Sequence, residues 1–407
     1  MGVRRRALAV ILLAMTVGVV SSCDSGSDAT QADPVIDVSK LDVGSYRAEP
    51  KDFAPKNTQF VARVFEAERM GRVLPLPSEV DPTLKVNRDD WTHVFLAPDE
   101  AHTSPMYAWL RKDGFAEDAK GFVAGFAATG QTGEDVRVSD TESTSVLLFE
   151  SDQAATAASD ALARRGWNLT AYEDGTQVEP ARSVMHPDAV TSWVPSQQML
   201  ASWYATGKFV IVAIAESEEN RKLKVSDQSR LLALTDRAIT VTSDRLKSFQ
   251  PAPPDQLTSV PMDPDGMLRM SLERPDGDSY QNMPGVYDLA GYLHFTRDPA
   301  KARSTYENFG IDRVSSYGSE LFRTRDAAAA KDFLATELVD KFKRHAESPA
   351  GLPNARCNQY HGPEGKLATP FYCYVAFGRY VAMTYGSQLA DAQQRISAQY
   401  AILARSA

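Results

Sequence analysis

The chain has 407 residues, 43% of them hydrophobic, with 44 basic against 53 acidic side chains and a formal charge of −9. That balance argues against nucleic acid and against a broad electrostatic grip on anionic lipid headgroups. The length is enough for two or more domains with ordinary cores.

The first element in chain order is a leader. Arg4, Arg5 and Arg6 precede an apolar stretch from Ala7 to Val20, and Ser21 and Ser22 supply small residues before Cys23. As a helix that stretch rises about 21 Å, short of a hydrocarbon core of about 30 Å, so a permanent transmembrane anchor is not expected. The tetrapeptide Val20-Ser21-Ser22-Cys23 resembles a bacterial lipobox, in which the cysteine is lipidated and becomes the first residue after cleavage. It departs from the best pattern in lacking Leu at its first place and Gly or Ala before the cysteine. The expectation is a signal peptide over 1–22, lipidation at Cys23 and a place on the extracytoplasmic face of the cell membrane. Two or more acyl chains on one cysteine anchor stably where one would not.

The residues after Cys23 suit a tether. DSGSDATQADPVID (24–37) is small, acidic and polar, with little to bury, so 23–40 reads as a flexible spacer. Loss of 1–22 removes three arginines and leaves 41 basic and 53 acidic groups, a formal charge of −12.

Beyond the spacer the chain repeats itself. SVLLFESDQAATAASDALARRG (145–166) matches SELFRTRDAAAAKDFLATELVD (319–340), each an apolar strand, a polar cap and an alanine-rich helix. ASWYATGKFVIVAIAES (201–217) matches CYVAFGRYVAMTYGS (373–387), both hairpins turning on Gly-Lys or Gly-Arg. Phe149 lies 58 residues before Gly207, and Phe322 lies 56 before Gly378. A helical pattern follows each hairpin, and LPLPSEVDPTL (74–84) faintly echoes SVPMDPDGML (259–268). The fold class expected is α+β: two tandem related domains, each an antiparallel sheet with helices packed on one face. The boundaries read as 41–249 for the first domain, a Pro-rich linker at 250–266, and 267–407 for its diverged repeat.

Three cysteines leave Cys357 and Cys373 once Cys23 is assigned to lipid. An exported chain permits a disulfide between them, contributing roughly 3 kcal/mol by the chain-entropy argument. Cys373 aligns with Ser202, and the first copy has Trp193 and Trp203 nearby, so packing is expected to replace the bond there.

The lipobox, the LDVGSYRAEP opening (41–50), the Asp-Pro echo and the duplicated strand–helix units resemble a family of actinobacterial surface lipoproteins. That family is known as a domain of unknown function with a distinct C-terminal partner domain. At the level of fold, the chain is also similar to the extracellular sensor domain of some mycobacterial receptor kinases. Neither resemblance implies an active site.

No catalytic signature emerges. Gly277-Asp278-Ser279-Tyr280 has the letters of a lipase block, but it follows LERPD and lacks the C-terminal partner triplet, so it reads as a polar turn. His93, His102, His186, His294, His345 and His361 form no ligand spacing. Asp263 and Asp265 stand in MDPDGML, where Pro264 and an early Gly266 spoil a calcium loop. Glu216, Glu218, Glu219 and Asp227 read as a solvated loop, and the aromatic run at 371–386 as one face of a core hairpin. The chain is therefore not expected to be an enzyme or to hold a metal or cofactor. It is expected to be an envelope binding or interaction module, held to the membrane through the lipid on Cys23. Its ligand would be an envelope protein or a lipid, not nucleic acid. The alternative is a carrier for an apolar or glycolipid ligand.

Overall fold

A computed structural model describes residues 36–88, 92–96, 110–111, 113–168, 176–275, 284–338, 341–362 and 369–406. The leader, Cys23, the first part of the spacer and the Gly277–Tyr280 block lie outside the described residues. Residues 36–407 make one compact unit holding both sheets, with cores closed by their own side chains.

The first sheet is built from β1 (Val86–Asn87), β2 (His93–Phe95), β3 (Phe122–Gln131), β4 (Asp140–Phe149), β5 (Glu179–Ala181), β6 (Val190–Val194), β7 (Met199–Thr206) and β8 (Phe209–Ser217). The second comprises β9 (Gly285–Tyr287), β10 (Arg313–Ser316), β11 (Glu320–Arg323), β12 (Lys343–Ala346), β13 (Arg356–Tyr360), β14 (Phe371–Phe377) and β15 (Tyr380–Gly386). The order β1-β3-β4-β8-β7-β6-β5, with β2 also on β3, is matched strand for strand by β9-β10-β11-β15-β14-β13-β12. All these pairings are antiparallel. The duplication is real at the level of topology.

The helices are α1 (Thr58–Gly71), α2 (Pro77–Val80), α3 (Phe115–Asp118), α4 (Asp152–Arg165), α5 (Glu218–Leu223), α6 (Gln228–Leu246), α7 (Leu289–Leu293), α8 (Pro299–Asn308), α9 (Ala327–Glu337) and α10 (Leu389–Ser406). Local chemistry sets their starts. Ser151 caps α4 by accepting from the Ala154 N–H, and Asp326 caps α9 by accepting from Ala329. Ala155, Ala158 and Leu162 are buried at helical spacing on α4, so the alanine run is a thin apolar stripe that lets the helix approach the sheet closely.

The α+β class holds, but the helices do not share one face. On β4 and β8, Leu147, Phe149, Val210 and Val212 pack under α4. Val146, Leu148, Ile211 and Ala213, at the alternate positions, pack under α6. In the second sheet Phe322 and Val381 meet Phe333 of α9, while Leu321 and Ala382 meet α10. Each sheet is therefore sandwiched, because its central strands are apolar at successive rather than alternate residues.

The hairpin landmarks are in place. Gly207 and Gly378 take φ of 51° and 53° at the first turn residue, and nothing would obstruct a Cβ at either. Backbone conformation alone selects glycine there. The strand before each alanine-rich helix is offset by one residue from the match of 145–166 with 319–340, and by two from the Phe149–Phe322 landmark. Phe149 N donates to Lys208 O at 2.8 Å, and Thr324 N donates to Arg379 O at 2.9 Å, so Phe149 corresponds to Thr324 and Ser145 to Glu320. A one-residue slip would have reversed every side chain.

The segments at both ends of the first domain pack beyond its own sheet. Leu41 is buried in the second core, with Ile36, Val38 and Val43 packed against it. The Asp42 carboxylate accepts from Gln394, Tyr46 donates to Asp391, and the Arg405 guanidinium donates to Ala48 O at 2.5 Å. The segment 36–53 thus belongs to the last helix, because its apolar residues find their partners there. The Pro-rich segment 250–266 is also packed: Leu257 is buried, and Ala252 N donates to Glu66 at 2.8 Å.

The two domains meet on α1, which gives Met70 to one core and Phe65 to the other. Tyr287 donates to the buried Glu68 carboxyl at 2.9 Å, and Arg72 to Val286 O at 2.6 Å. Asn87 Nδ2 donates to Leu293 O at 3.1 Å, and Phe126 stacks edge-on to His294.

Candidate functional site

Position in the sheet explains the disulfide. Cys357 on β13 and Cys373 on β14 are direct cross-strand partners, 4.1 Å apart at Cα, and their sulfurs are bonded. The bond is buried under α10 and ties the hairpin to the preceding strand. In the first sheet the same register position holds Thr191 and Ser202. Their hydroxyls lie 3.0 Å apart, and Ser202 Oγ reaches Thr235 of α6 at 3.3 Å. A hydroxyl chain, rather than tryptophan packing, occupies that place. Trp193 and Trp203 lie in the two different cores.

The candidate acid–base and metal residues are otherwise engaged. Asp263 accepts from the backbone of Leu268 and Arg269 at 3.0 and 2.9 Å, and Asp265 pairs with Arg313 at 2.9 Å. The Asp-x-Asp segment is turn chemistry. His186 Nε2 lies 2.8 Å from the Thr240 hydroxyl. His294 is buried between the domains, and burial pushes its pKa down to about 4. His345 and His361 are exposed on or beside the second sheet's edge strands. His102 lies outside the described residues. Among the described residues no cluster of His, Cys, Asp and Glu could hold a metal ion. The aromatic run at 371–386 is divided between both faces: Cys373 and Val375 under α10, Val381 under α9.

A cavity of about 870 Å³ lies at one end of the first sheet. One wall is the β6–β7 connection, Pro195 to Gln198. The other is Glu216 at the end of β8, followed by Asn220, Arg221, Lys224, Val225 and Ser226 of the α5 segment. Gln198 clamps the two walls, its Nε2 donating to Pro195 O at 2.6 Å while its Oε1 accepts from Asp227 N at 3.1 Å. Gln198 and Lys224 are the two non-glycine residues with positive φ among the described residues, at 50° and 55°, and both line this cleft. Such conformations cost of order 1 kcal/mol each and persist where surrounding contacts impose them.

Two carboxyls in the cleft are held in different states. Burial first, and the neighbouring Glu218 charge second, push Glu216 up to about 8. The Arg221 guanidinium, donating at 2.7 Å, holds Glu218 below the usual carboxylate range. Burial thus favours the protonated form of Glu216, whose carboxyl lines the cleft and also meets the Thr141 side chain. The sequence reading of 216–227 as a solvated loop missed this. The available signal was length: ten residues (218–227) separate β8 from α6, whereas two (387–388) separate β15 from α10.

A smaller cavity of about 380 Å³ lies among Arg47, Lys51, Phe53, Glu273 and Tyr317. Arg47 and Lys51 both pair with Glu273 at 3.3 and 3.4 Å, and Asp52, Lys56 and Arg274 also line it.

Comparison with known proteins locates the two copies in one family. A family described as Domain of unknown function (DUF7373) N-terminal matches residues 53–262, and its C-terminal counterpart matches 267–406. No curated protein matches the sequence. Among solved structures, the extracellular domain of PknH from Mycobacterium tuberculosis aligns at 11% identity with a TM-score of 0.27. That alignment covers 45% of this chain and 97% of that one.

Proposed function

The chain belongs to the DUF7373 family, and we propose that it acts as a lipid-anchored, extracytoplasmic binding module of the bacterial envelope, engaging its ligand at the first sheet's cleft. The observation that carries this is the contrast between the copies. The second copy joins the same hairpin to the same helix directly, so the fold itself does not need α5. The first copy keeps that insertion and two left-handed residues beside a cleft of about 870 Å³. The leader before Cys23 and the buried disulfide support an exported chain tied to the membrane by lipid on that cysteine. No cofactor or metal is part of this reading.

Two experiments test it. Cys23→Ala should release a folded protein from the membrane fraction, and retention there would remove the anchor. Native mass spectrometry of residues 24–407 taken from the producing envelope should show added mass that Asn220→Leu abolishes. A clean apoprotein mass in the unaltered chain would count against a stable ligand.

A second reading, hydrolysis, is favoured by one observation. A protonated Glu216 and an ionised Glu218 share the cleft, the division of states that general acid catalysis uses. Turnover of envelope glycans that Glu216→Gln eliminates would establish it over simple binding.

A further inference from the structure

Two of the connections that are longer in the first copy than in the second meet. The β3–β4 link spans eight residues (132–139) where β10–β11 needs three (317–319), and it contains a short 3-10 turn at Val136–Val138. The other is the α5 segment. Lys222 Nζ donates to Arg137 O at 2.6 Å and Glu218 N to Ser139 O at 3.3 Å, so the two insertions form one lip beside the cleft.

This lip presents apolar side chains to solvent. Val136, Val138, Leu223 and Val225 are 44%, 55%, 64% and 49% exposed. The remaining exposed large hydrophobics lie at 178–190, near the β5 edge, and none of those described falls in the second domain. Cations interleave with the apolar residues of the lip: Val136-Arg137-Val138 in one insertion, Lys222-Leu223-Lys224-Val225 in the other. Arg137 is held by Asp135 at 2.7 and 2.8 Å and Lys222 lies 3.6 Å from Glu218, so the lip meets a membrane chiefly through its apolar side chains. Apolar residues alternating with Lys and Arg suit the boundary between acyl chains and phosphates.

The cleft inside the lip has the opposite character. Asn220, Gln197 and Gln198 bring amides, Ser196 and Ser226 hydroxyls, and Glu216 a carboxyl that burial keeps largely neutral; Arg221 and Glu218 neutralise each other, Lys224 adds a cation, and Pro195 and Met199 give an apolar floor. The Asn220 side-chain amide has no partner among the described residues. Neutral donors and acceptors beside one cation match a hydroxyl-rich headgroup joined to a phosphate better than an acyl chain.

We propose that the cleft takes the hydroxyl-rich headgroup of a membrane lipid while Val136, Val138, Leu223 and Val225 rest in the bilayer interface. The acyl chains stay in the membrane, which explains a polar interior with an apolar rim. This rests on the binding-module reading and names its ligand class. It does not depend on the anchor, because residues 36–407 hold the whole lip and cleft without Cys23.

The test is co-sedimentation of residues 36–407, the compact unit, with three kinds of vesicle: phosphatidylcholine alone, or with added phosphatidylglycerol or phosphatidylinositol. The expected result is pelleting that is strongest with phosphatidylinositol. Val138→Asp with Leu223→Asp should reduce partitioning by about tenfold or more on all vesicles, the equivalent of losing one buried aliphatic side chain. Asn220→Leu should abolish only the preference for phosphatidylinositol. Circular dichroism melts of both variants, at surface positions, should match the parent. No pelleting on any vesicle would overturn the proposal, and so would equal pelleting with phosphatidylglycerol and phosphatidylinositol. Either failure leaves the Cys23 fractionation and the native mass of the envelope-derived protein free to support a different ligand.

Discussion

Thr191 and Ser202 face each other across β6 and β7 with their hydroxyls 3.0 Å apart, at the register position where Cys357 and Cys373 are bonded in the second sheet. One site in a duplicated scaffold is closed by a hydrogen bond in one copy and a covalent bond in the other. If the correspondence is physical, the first site should accept a disulfide. Thr191→Cys with Ser202→Cys should oxidise spontaneously and raise stability by up to about 3 kcal/mol through loop closure. Persistence of two free thiols in a thiol titration under air would show the two sites to differ in geometry.

Reduction of the native disulfide should be felt in both domains. Glu68–Tyr287, Arg72–Val286 and Asn87–Leu293 join them through buried contacts, so they are expected to unfold in one transition. All five tryptophans precede residue 204, which makes their fluorescence a reporter of the first domain alone. Cys357→Ser with Cys373→Ser should shift the tryptophan-detected midpoint along with the far-UV signal. An unmoved tryptophan transition would mean that the domains fold separately.

Gly285 lies against Glu68 in that interface. A Cβ there would lie 2.1 Å from Glu68 Oε1, and Glu68 is 1% exposed with no room to swing away. Gly285→Ala should cost about 1–3 kcal/mol by overpacking, read as a lower denaturant midpoint. Tyr287→Phe, which removes only the hydroxyl donor, should cost about 1 kcal/mol.

Glu142 gives the fold a pH dependence. Its carboxyl is fully buried beneath the α6 face of β4, one oxygen accepting from Thr144 at 2.5 Å and the other without a partner among the described residues. Burial pushes its pKa up to about 8. Between pH 4.5 and 8 the folded state therefore holds a proton that the unfolded state has released. Its contribution to stability is present below pH 4.5 and is lost as the pH rises through 8. Glu142→Gln should flatten the decline of the melting temperature between pH 5 and 8. An unchanged slope would place the dependence on other groups, such as Glu320, which burial raises to about 7.

Replacing residues 218–226 with a single residue, so that with the Asp227 cap two residues separate β8 from α6 as in the second copy, should leave the fold intact. The melting temperature should move by no more than about 4 °C, since the segment is mostly exposed. A collapse of stability would make α5 a structural element and weaken its assignment to ligand binding.

Local chemistry decided much of this protein from its sequence. Glycines at 207 and 378, caps before the alanine-rich helices and paired apolar runs are short-range signals, so duplication and the α+β class were legible. The cysteine pairing followed from count and compartment. Three things were not legible, each for a physical reason. β5 is Glu179-Pro180-Ala181 and β12 begins Lys343-Arg344-His345, edge strands whose polar side chains carry no period-two signal. The offset that pairs Ser145 with Glu320 depends on which backbone groups bond across the hairpin, which side-chain matching does not weigh. The docking of residues 36–53 on α10, the burial of α1 between two sheets and the cleft beside α5 join residues as many as 357 positions apart. Such contacts are set by which apolar surfaces remain uncovered once each sheet has formed, and that is a property of the tertiary structure alone.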